Sequence, residues 1–204
     1  IGAAAMGKRP VIVHPRADFM FLAFDQLINL AAKWRYVFGG NAGHMPIVVR
    51  GIIGKGWGQG ATHSQSIHSV LGHFPGLQVV MPATPKSALE LTLAALTGKS
   101  PIIILEHRAL YSIDGDVPLN PRPAEIGEAE IVKEGSDITI VATSMMVQES
   151  LKAAKYLATK NISAEVIDPR WIRPLDENTI LTSIKKTGHL IVADVSWELY
   201  GFAS

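Results

Sequence analysis

The sequence predicts an α/β protein: a parallel sheet flanked by helices, followed by part of a second α/β domain. Three observations lead there. Short apolar runs alternate with segments of helical period in both halves, as strands joined by covering helices do. One run, Ile102-Ile103-Ile104-Leu105, is continuously apolar and mostly β-branched, the pattern of a strand covered on both faces. A proline-rich stretch from Asp114 to Pro123 separates two halves of opposite charge.

In the first half, Pro10 to Val13 reads as a strand and Phe19 to Lys33 as a helix, with Phe24, Leu27, Ile28 and Ala31 at helical spacing. Ile47-Val48-Val49 and Leu77 to Met81 are further strands. The next helix carries its own punctuation. Thr84 is placed to cap it, Pro85 suits its first position and Gly98 suits its end. In the second half Ile138–Val141, Ala164–Ile167 and Leu190–Val192 read as strands, and Ser144–Thr159 and Asp176–Lys186 as helices. Asp176 and Lys185-Lys186 lie at the helix ends that favour their charges.

Residues 1–112 carry ten Lys/Arg against four Asp/Glu, and residues 113–204 nine against fourteen, within a net charge of +1. Three prolines in six residues stiffen the junction. We therefore expect domains over 1–112 and 124–204 with a linker at 113–123; one domain with a long surface loop is the alternative.

Composition excludes several classes. With 48% apolar and 18% charged residues, the chain is too apolar for a disordered segment or a nucleic-acid-binding tail. The absence of cysteine excludes disulfides, thiolate zinc sites and cysteine nucleophiles. No apolar run approaches the ~20 residues of a membrane-spanning helix, and Ile1 to Ala5 lacks the charged lead-in of a signal peptide. The expectation is a soluble cytoplasmic protein, without membrane or nucleic-acid partners, whose first residue lies inside a longer chain.

Ligands of open parallel sheets bind beyond the carboxyl ends of the strands, which singles out loops 14–19, 50–64 and 106–112. The middle loop has five glycines between Gly51 and Gly60. A P-loop is excluded because no Gly-Lys-Ser/Thr closes it. Gly56-x-Gly58-x-x-Ala61 is a loose dinucleotide fingerprint, but no acid follows about twenty residues on to hold a ribose. His63 is the more specific feature. Ser64 or Ser66 is placed to start a short helix, so the imidazole would face the mouth and hydrogen-bond a developing anion or move a proton. A neighbour of a helix cap is the alternative. Phe19 offers a stacking surface or a core ring, and Arg16 a carboxylate clamp or a surface charge. Glu106, His107, Arg108 and Tyr111 form the polar exit of a buried strand. No Gly-x-Ser-x-Gly elbow is present.

Four strings carry a family resemblance through nearly the whole chain. They are Phe24-Asp25-Gln26-Leu27-Ile28-Asn29-x-Ala31-Ala32-Lys33, His63-Ser64-Gln65-Ser66, His73-Phe74-Pro75-Gly76-Leu77-x-Val79-Val80-x-Pro82 and Val166-Ile167-Asp168-x-Arg170-x-Ile172-x-Pro174-x-Asp176. Together they resemble the beta subunit of the thiamine-diphosphate-dependent first component of 2-oxo-acid dehydrogenases, within the transketolase-like superfamily.

The resemblance implies a pyrimidine-binding domain up to about residue 112 and a transketolase-like C-terminal domain from about residue 124, both incomplete. It implies oxidative decarboxylation of a 2-oxo acid and acyl transfer to lipoamide, in the cytoplasm or an organelle matrix. Phe19 would lie against the cofactor's pyrimidine, His63 would be the active-site histidine, and Arg16 would sit near the substrate. An alpha subunit would supply the diphosphate and magnesium site; a second beta subunit and a lipoyl-bearing acyltransferase core would complete the assembly. Backbone carbonyls near Ala95, Gly98 and Ser100 would hold potassium. The family's activating glutamate falls before Ile1, so this chain alone is expected to be inactive. Two readings compete. One is a transketolase or deoxyxylulose-phosphate synthase half, which typically has Gln where Ser64 stands; the other is a non-catalytic assembly subunit.

Overall fold

The computed structural model describes residues 1–204. A one-turn helix α1 (Gly2–Ala5) precedes strand β1 (Val11–His14). Where apolar spacing predicts one α-helix over 19–33, the backbone winds tightly as a 3-10 segment (Ala17–Ala23), then widely as a π segment (Asp25–Ala31), and ends in α2 (Trp34–Val37). The amide of Ala32 reaches back five residues to Leu27 O at 2.9 Å. Changing the residues per turn rotates the apolar stripe, and the result buries Met20, Leu27 and Ala31 together.

Strand β2 (Val48–Ile53) follows, then α3 (His68–Gly72), β3 (Gln78–Val80), α4 (Pro85–Thr97) and β4 (Ile102–His107). The four strands are parallel in the order β1-β2-β4-β3. Successive side chains alternate between faces. Val49, Val79, Ile103 and Leu105 bury with Met20, Leu27 and Leu71 on one face; Val48, Val80, Ile102 and Ile104 bury with Leu91 and Ala95 of α4 on the other. Helix α4 is capped as expected: Thr84 Oγ1 accepts from Ser87 N and Ser87 Oγ accepts from Thr84 N, both at 3.0 Å. Gly98 ends it in an extended conformation, not a left-handed one.

The stretch 114–123 forms no regular element. Beyond it come β5 (Glu130–Lys133), β6 (Ile138–Ala142), α5 (Met145–Ala158), β7 (Ala164–Asp168), β8 (Trp171–Arg173), α6 (Glu177–Thr187) and β9 (Leu190–Ala193). The second sheet runs β5-β7-β6-β9, with β5 antiparallel to β7. Its α5 face is apolar, centred on Ile140, Val166, Val147 and Ala154. Its α6 face is polar: Thr139 Oγ1 lies 2.6 Å from Ser183 Oγ and 2.7 Å from Thr187 Oγ1, and buried Glu165 accepts from Ser183 and Lys186. Such groups tolerate burial because each has a partner.

Two strands escape the sequence reading. Strand β5 is an edge strand four residues long. Strand β8 leaves the second sheet altogether and pairs antiparallel with β3. Arg170, at φ +54°, reverses the chain just after β7, and Trp171 then buries fully among Val48, Val80, Leu91 and Ile104. No helix is long and apolar enough to cross a membrane.

Candidate functional site

The carboxyl ends of β1, β2 and β4 gather the three loops that the sequence singles out. The 3-10 segment lies directly on β2 because Gly51 has no side chain: a Cβ there would stand 2.9 Å from Met20 Cε and 3.2 Å from Ala17 Cβ. This places Asp18 and Phe19 at the mouth. Asp18 Oδ1 accepts from Gln65 N at 3.2 Å and Gln65 Nε2 at 2.9 Å, tying the histidine loop to the Phe19 segment. His63 ends a short 3-10 turn (Ala61–His63), and its ring centroid is 5.2 Å from that of Phe19 with the planes at 73°. Thr62 Oγ1 lies 3.1 Å from His63 Nδ1; a hydroxyl donating there leaves the ring proton on Nε2.

The helix expected at Ser64 or Ser66 starts instead at His68. Ser64 Oγ donates back to Gly60 O at 2.8 Å, so the hydroxyl closes the loop behind it rather than capping a helix ahead.

Gly54, Gly56, Gly58 and Gly60 all have positive φ, which is the conformational reason for the glycine run. At Gly54 a Cβ would also lie 2.9 Å from His107 Nε2 and 3.0 Å from the Trp57 ring. Trp57 is the site residue that the sequence reading passed over. It is 39% exposed, with the Arg16 and Arg108 guanidinium groups 5.8 Å and 5.5 Å from its ring centroid. A tryptophan inside a glycine run is the signal that could have found it. Arg16 is buried: Nη1 donates to Gly54 O at 3.3 Å and Nη2 to Gln59 Oε1. It anchors the loop from beneath. Burial, and then the Arg16 charge, lower the His107 pKa.

The third loop holds a second network. Arg50 Nη2 donates to Glu106 Oε1 and Oε2 at 2.9 and 2.8 Å, and the Tyr111 hydroxyl donates to Glu106 Oε2 at 3.0 Å. Burial, and then the Glu106 charge, push the Tyr111 phenol up to about 12.

The residues fit part of the implied cofactor. The Phe19 ring is 45% exposed with the His63 imidazole against it, and Asp18 Oδ2 beside it is buried without a partner. An open phenyl ring with hydrogen-bonding groups alongside suits a flat aminopyrimidine. No group of three or more His, Asp or Glu residues is placed to hold a metal ion. The potassium expectation meets a direct obstacle. Arg9 Nη1 donates to Ala95 O at 3.2 Å and Gly98 O at 2.7 Å. Those carbonyls already face a cation, and a metal ion beside the guanidinium would be repelled. The Ala95 and Gly98 carbonyls thus do not fit a potassium site in this arrangement.

Comparison with known proteins gives the family. Residues 1–113 match the transketolase pyrimidine-binding domain family, and residues 127–204 match the transketolase C-terminal domain family. The chain is 44% identical over 194 residues to the beta subunit of an acetoin:2,6-dichlorophenolindophenol oxidoreductase from Cupriavidus necator, covering 95% of this chain and 57% of that protein. It is 41% identical to the pyruvate dehydrogenase E1 component subunit beta of Rickettsia felis, covering 98% and 61%. It is 40% identical to the mitochondrial 2-oxoisovalerate dehydrogenase subunit beta of Dictyostelium discoideum, covering 100% and 56%. A solved split-gene transketolase, an inactive beta4 tetramer, superposes with a TM-score of 0.81 at 25% identity over 98% of this chain and 62% of that one. The chain therefore spans between half and two thirds of the length of each of these proteins. With both domain matches in order over most of its length, the chain belongs to the transketolase-type family that couples a pyrimidine-binding domain to a transketolase C-terminal domain.

Proposed function

We propose that this chain is part of a beta subunit of a thiamine-diphosphate-dependent 2-oxo-acid dehydrogenase first component, working with an alpha subunit and a lipoyl-bearing acyltransferase core. The observation that carries the proposal is the meeting of Phe19 and His63 at the strand ends. Identity of 41% and 40% to two relatives named for such enzymes supports it and favours it over a transketolase half.

When bound, thiamine diphosphate supplies the electron sink for decarboxylation. This chain's residues do the rest. Phe19 offers its exposed ring to the pyrimidine, and Asp18 locks the histidine loop onto the same segment through Gln65. His63 then presents an imidazole N–H to the substrate carboxylate or to the acyl group being passed on. Trp57, with Arg16 and Arg108 against its ring, adds an aromatic face beside the strand ends. The diphosphate and magnesium fall to the alpha subunit, and a second beta subunit completes the assembly. Arg16 acts on substrate choice through the loop that it anchors. Relatives of bacterial and mitochondrial name support a cytoplasmic or organelle-matrix setting.

The test uses the complete protein assembled with its alpha partner. His63→Ala is expected to lower 2-oxo-acid turnover about 100-fold or more, the usual share of a proton-handling side chain, while thiamine diphosphate still binds. Unchanged turnover overturns the proposal.

A further inference from the structure

Besides the pairing of β8 with β3, side-chain hydrogen bonds join the second unit to the first, and three of them involve the ends of its sheet strands and α5. Gln148 Nε2 donates to Ala83 O at 2.9 Å and Ser144 Oγ to Pro82 O at 3.4 Å, both at the turn entering α4. The third is of another kind. His68 Nε2, on the first residue of α3, meets Asp194 Oδ2 at 3.0 Å across 126 residues of sequence, and the two side chains are 0% and 3% exposed.

Asp194 does not depend on His68 for its own position. Its carboxylate also accepts from Thr143 Oγ1 at the end of β6, from Ser196 N at 3.2 Å and from Ser196 Oγ. These groups fix it to the carboxyl end of the second sheet. His68 has no such independence. Its Nδ1 is buried without a partner, so Asp194 is the ring's one hydrogen-bonding anchor. A proton on Nδ1 would be buried with no acceptor, which makes Nε2–H the donor. Burial raises the Asp194 pKa, but the hydrogen bonds from His68, Ser196 and Thr143 outweigh it and hold the carboxyl far below its ordinary value. The contact is therefore a charge-assisted hydrogen bond.

The position of this bond in the chain gives it a consequence. Only Ser64 to Ile67 separate His68 from His63. Within them Gln65 is held by Asp18, and the far end of α3 is held by Arg173 Nη1 on Gly72 O at 3.2 Å. The histidine loop is thus strung between Asp18 on the first unit and Asp194 on the second. We infer that His68 and Asp194 are positioning residues for His63, through which the second domain sets the placement of the histidine loop at the mouth. The inference rests on the functional reading of His63 given above, but its test needs no turnover.

Amide hydrogen exchange and the His63 ring resonances are measured in the complete assembled protein. His68→Phe keeps the ring and removes the donor; His68→Gln keeps a donor able to reach Asp194. His68→Phe is expected to speed exchange at residues 63–67 by roughly 10-fold or more, the scale of losing one bond to a charged group in a local opening. It is also expected to shift the His63 ring signals, and His68→Gln is expected to restore both. Fast exchange confined to 193–196 and 143–145, with residues 63–67 and the His63 ring unchanged, overturns the inference and leaves the pair as a structural clasp. If His68→Phe does not fold, Asp194→Ser against His68→Gln makes the same comparison. Loss of the His63→Ala effect on turnover would strike the functional reading alone.

Discussion

Phe19 and His63 meet edge to face, 5.2 Å between ring centroids, although 44 positions separate them in the chain. Neither ring is buried: Phe19 is 45% exposed and His63 partly so. The pair is held by backbone and by Asp18 gripping Gln65, so its rings are free to meet a ligand. Phe19→Leu retains apolar bulk but removes the ring face. Thiamine diphosphate affinity of the assembled protein is expected to fall about 2- to 10-fold, the worth of an aromatic contact, with little change in melting temperature. Titration calorimetry on parent and variant checks this.

Arg16 is the underside of the glycine loop. It bonds Gly54 O and Gln59 Oε1 and lies against Trp57. Lysine cannot spread two donors in a plane. Arg16→Lys is therefore expected to loosen residues 54–60 by about 1.5–3 kcal/mol of local opening, the range for hydrogen bonds to a charged group. Limited proteolysis should cut the variant in this loop first, and Trp57 emission should shift to the red.

Asp168 is fully buried, and burial pushes its carboxyl up to about 7 against the pull of the Arg170 amide and charge. The unfolded chain loses this proton near the ordinary value of about 4. Between these two pH values the folded state holds a proton that the unfolded state has released, so stability falls as pH rises through that window. The slope reaches about 1.36 kcal/mol per pH unit at most. Asp168→Asn keeps an acceptor for the Arg170 amide and removes the ionisation. Denaturant melts at pH 5 and pH 8 should show the variant gaining on the parent at the higher pH, with no such gain below pH 4.

Arg9 stands where the family resemblance implies potassium. With its guanidinium on Ala95 O and Gly98 O, the parent is expected to melt at the same temperature in potassium and in choline salts of equal ionic strength. Arg9→Ala strips the carbonyls of their cation and should lower stability by about 1–3 kcal/mol. Added potassium should recover part of the loss in the variant alone. A parent stabilised by potassium would refute the replacement.

Much of this molecule is legible without coordinates. The run Ile102 to Leu105 reads as a strand covered on both faces, and each of its residues is buried. Thr84, Pro85 and Gly98 bracket α4 where they should. These readings succeed because they depend on neighbours within a few residues. The readings that missed depend on distant partners. The helix over 19–33 is wound as 3-10 and π turns, and the residues it buries join the core against the first sheet. Strand β8 is three residues long and precedes a proline; only the open edge of β3 makes it a strand.

The candidate site divides the same way. Local spacing already offers Phe19, His63, Arg16 and the glycine run as chemistry-bearing residues, since residue type and strand–loop order limit where a ligand can lie. Their roles come from contacts between loops. Long-range geometry turns Arg16 inward onto Gly54, brings two guanidinium groups to the Trp57 ring, sets Arg9 on the carbonyls of α4 and joins His68 to Asp194. Hydrophobic period and capping are properties of a short window of chain and are written in it. A hydrogen bond spanning 126 residues exists only once two sheets have packed, and no local pattern encodes which donor will meet which acceptor.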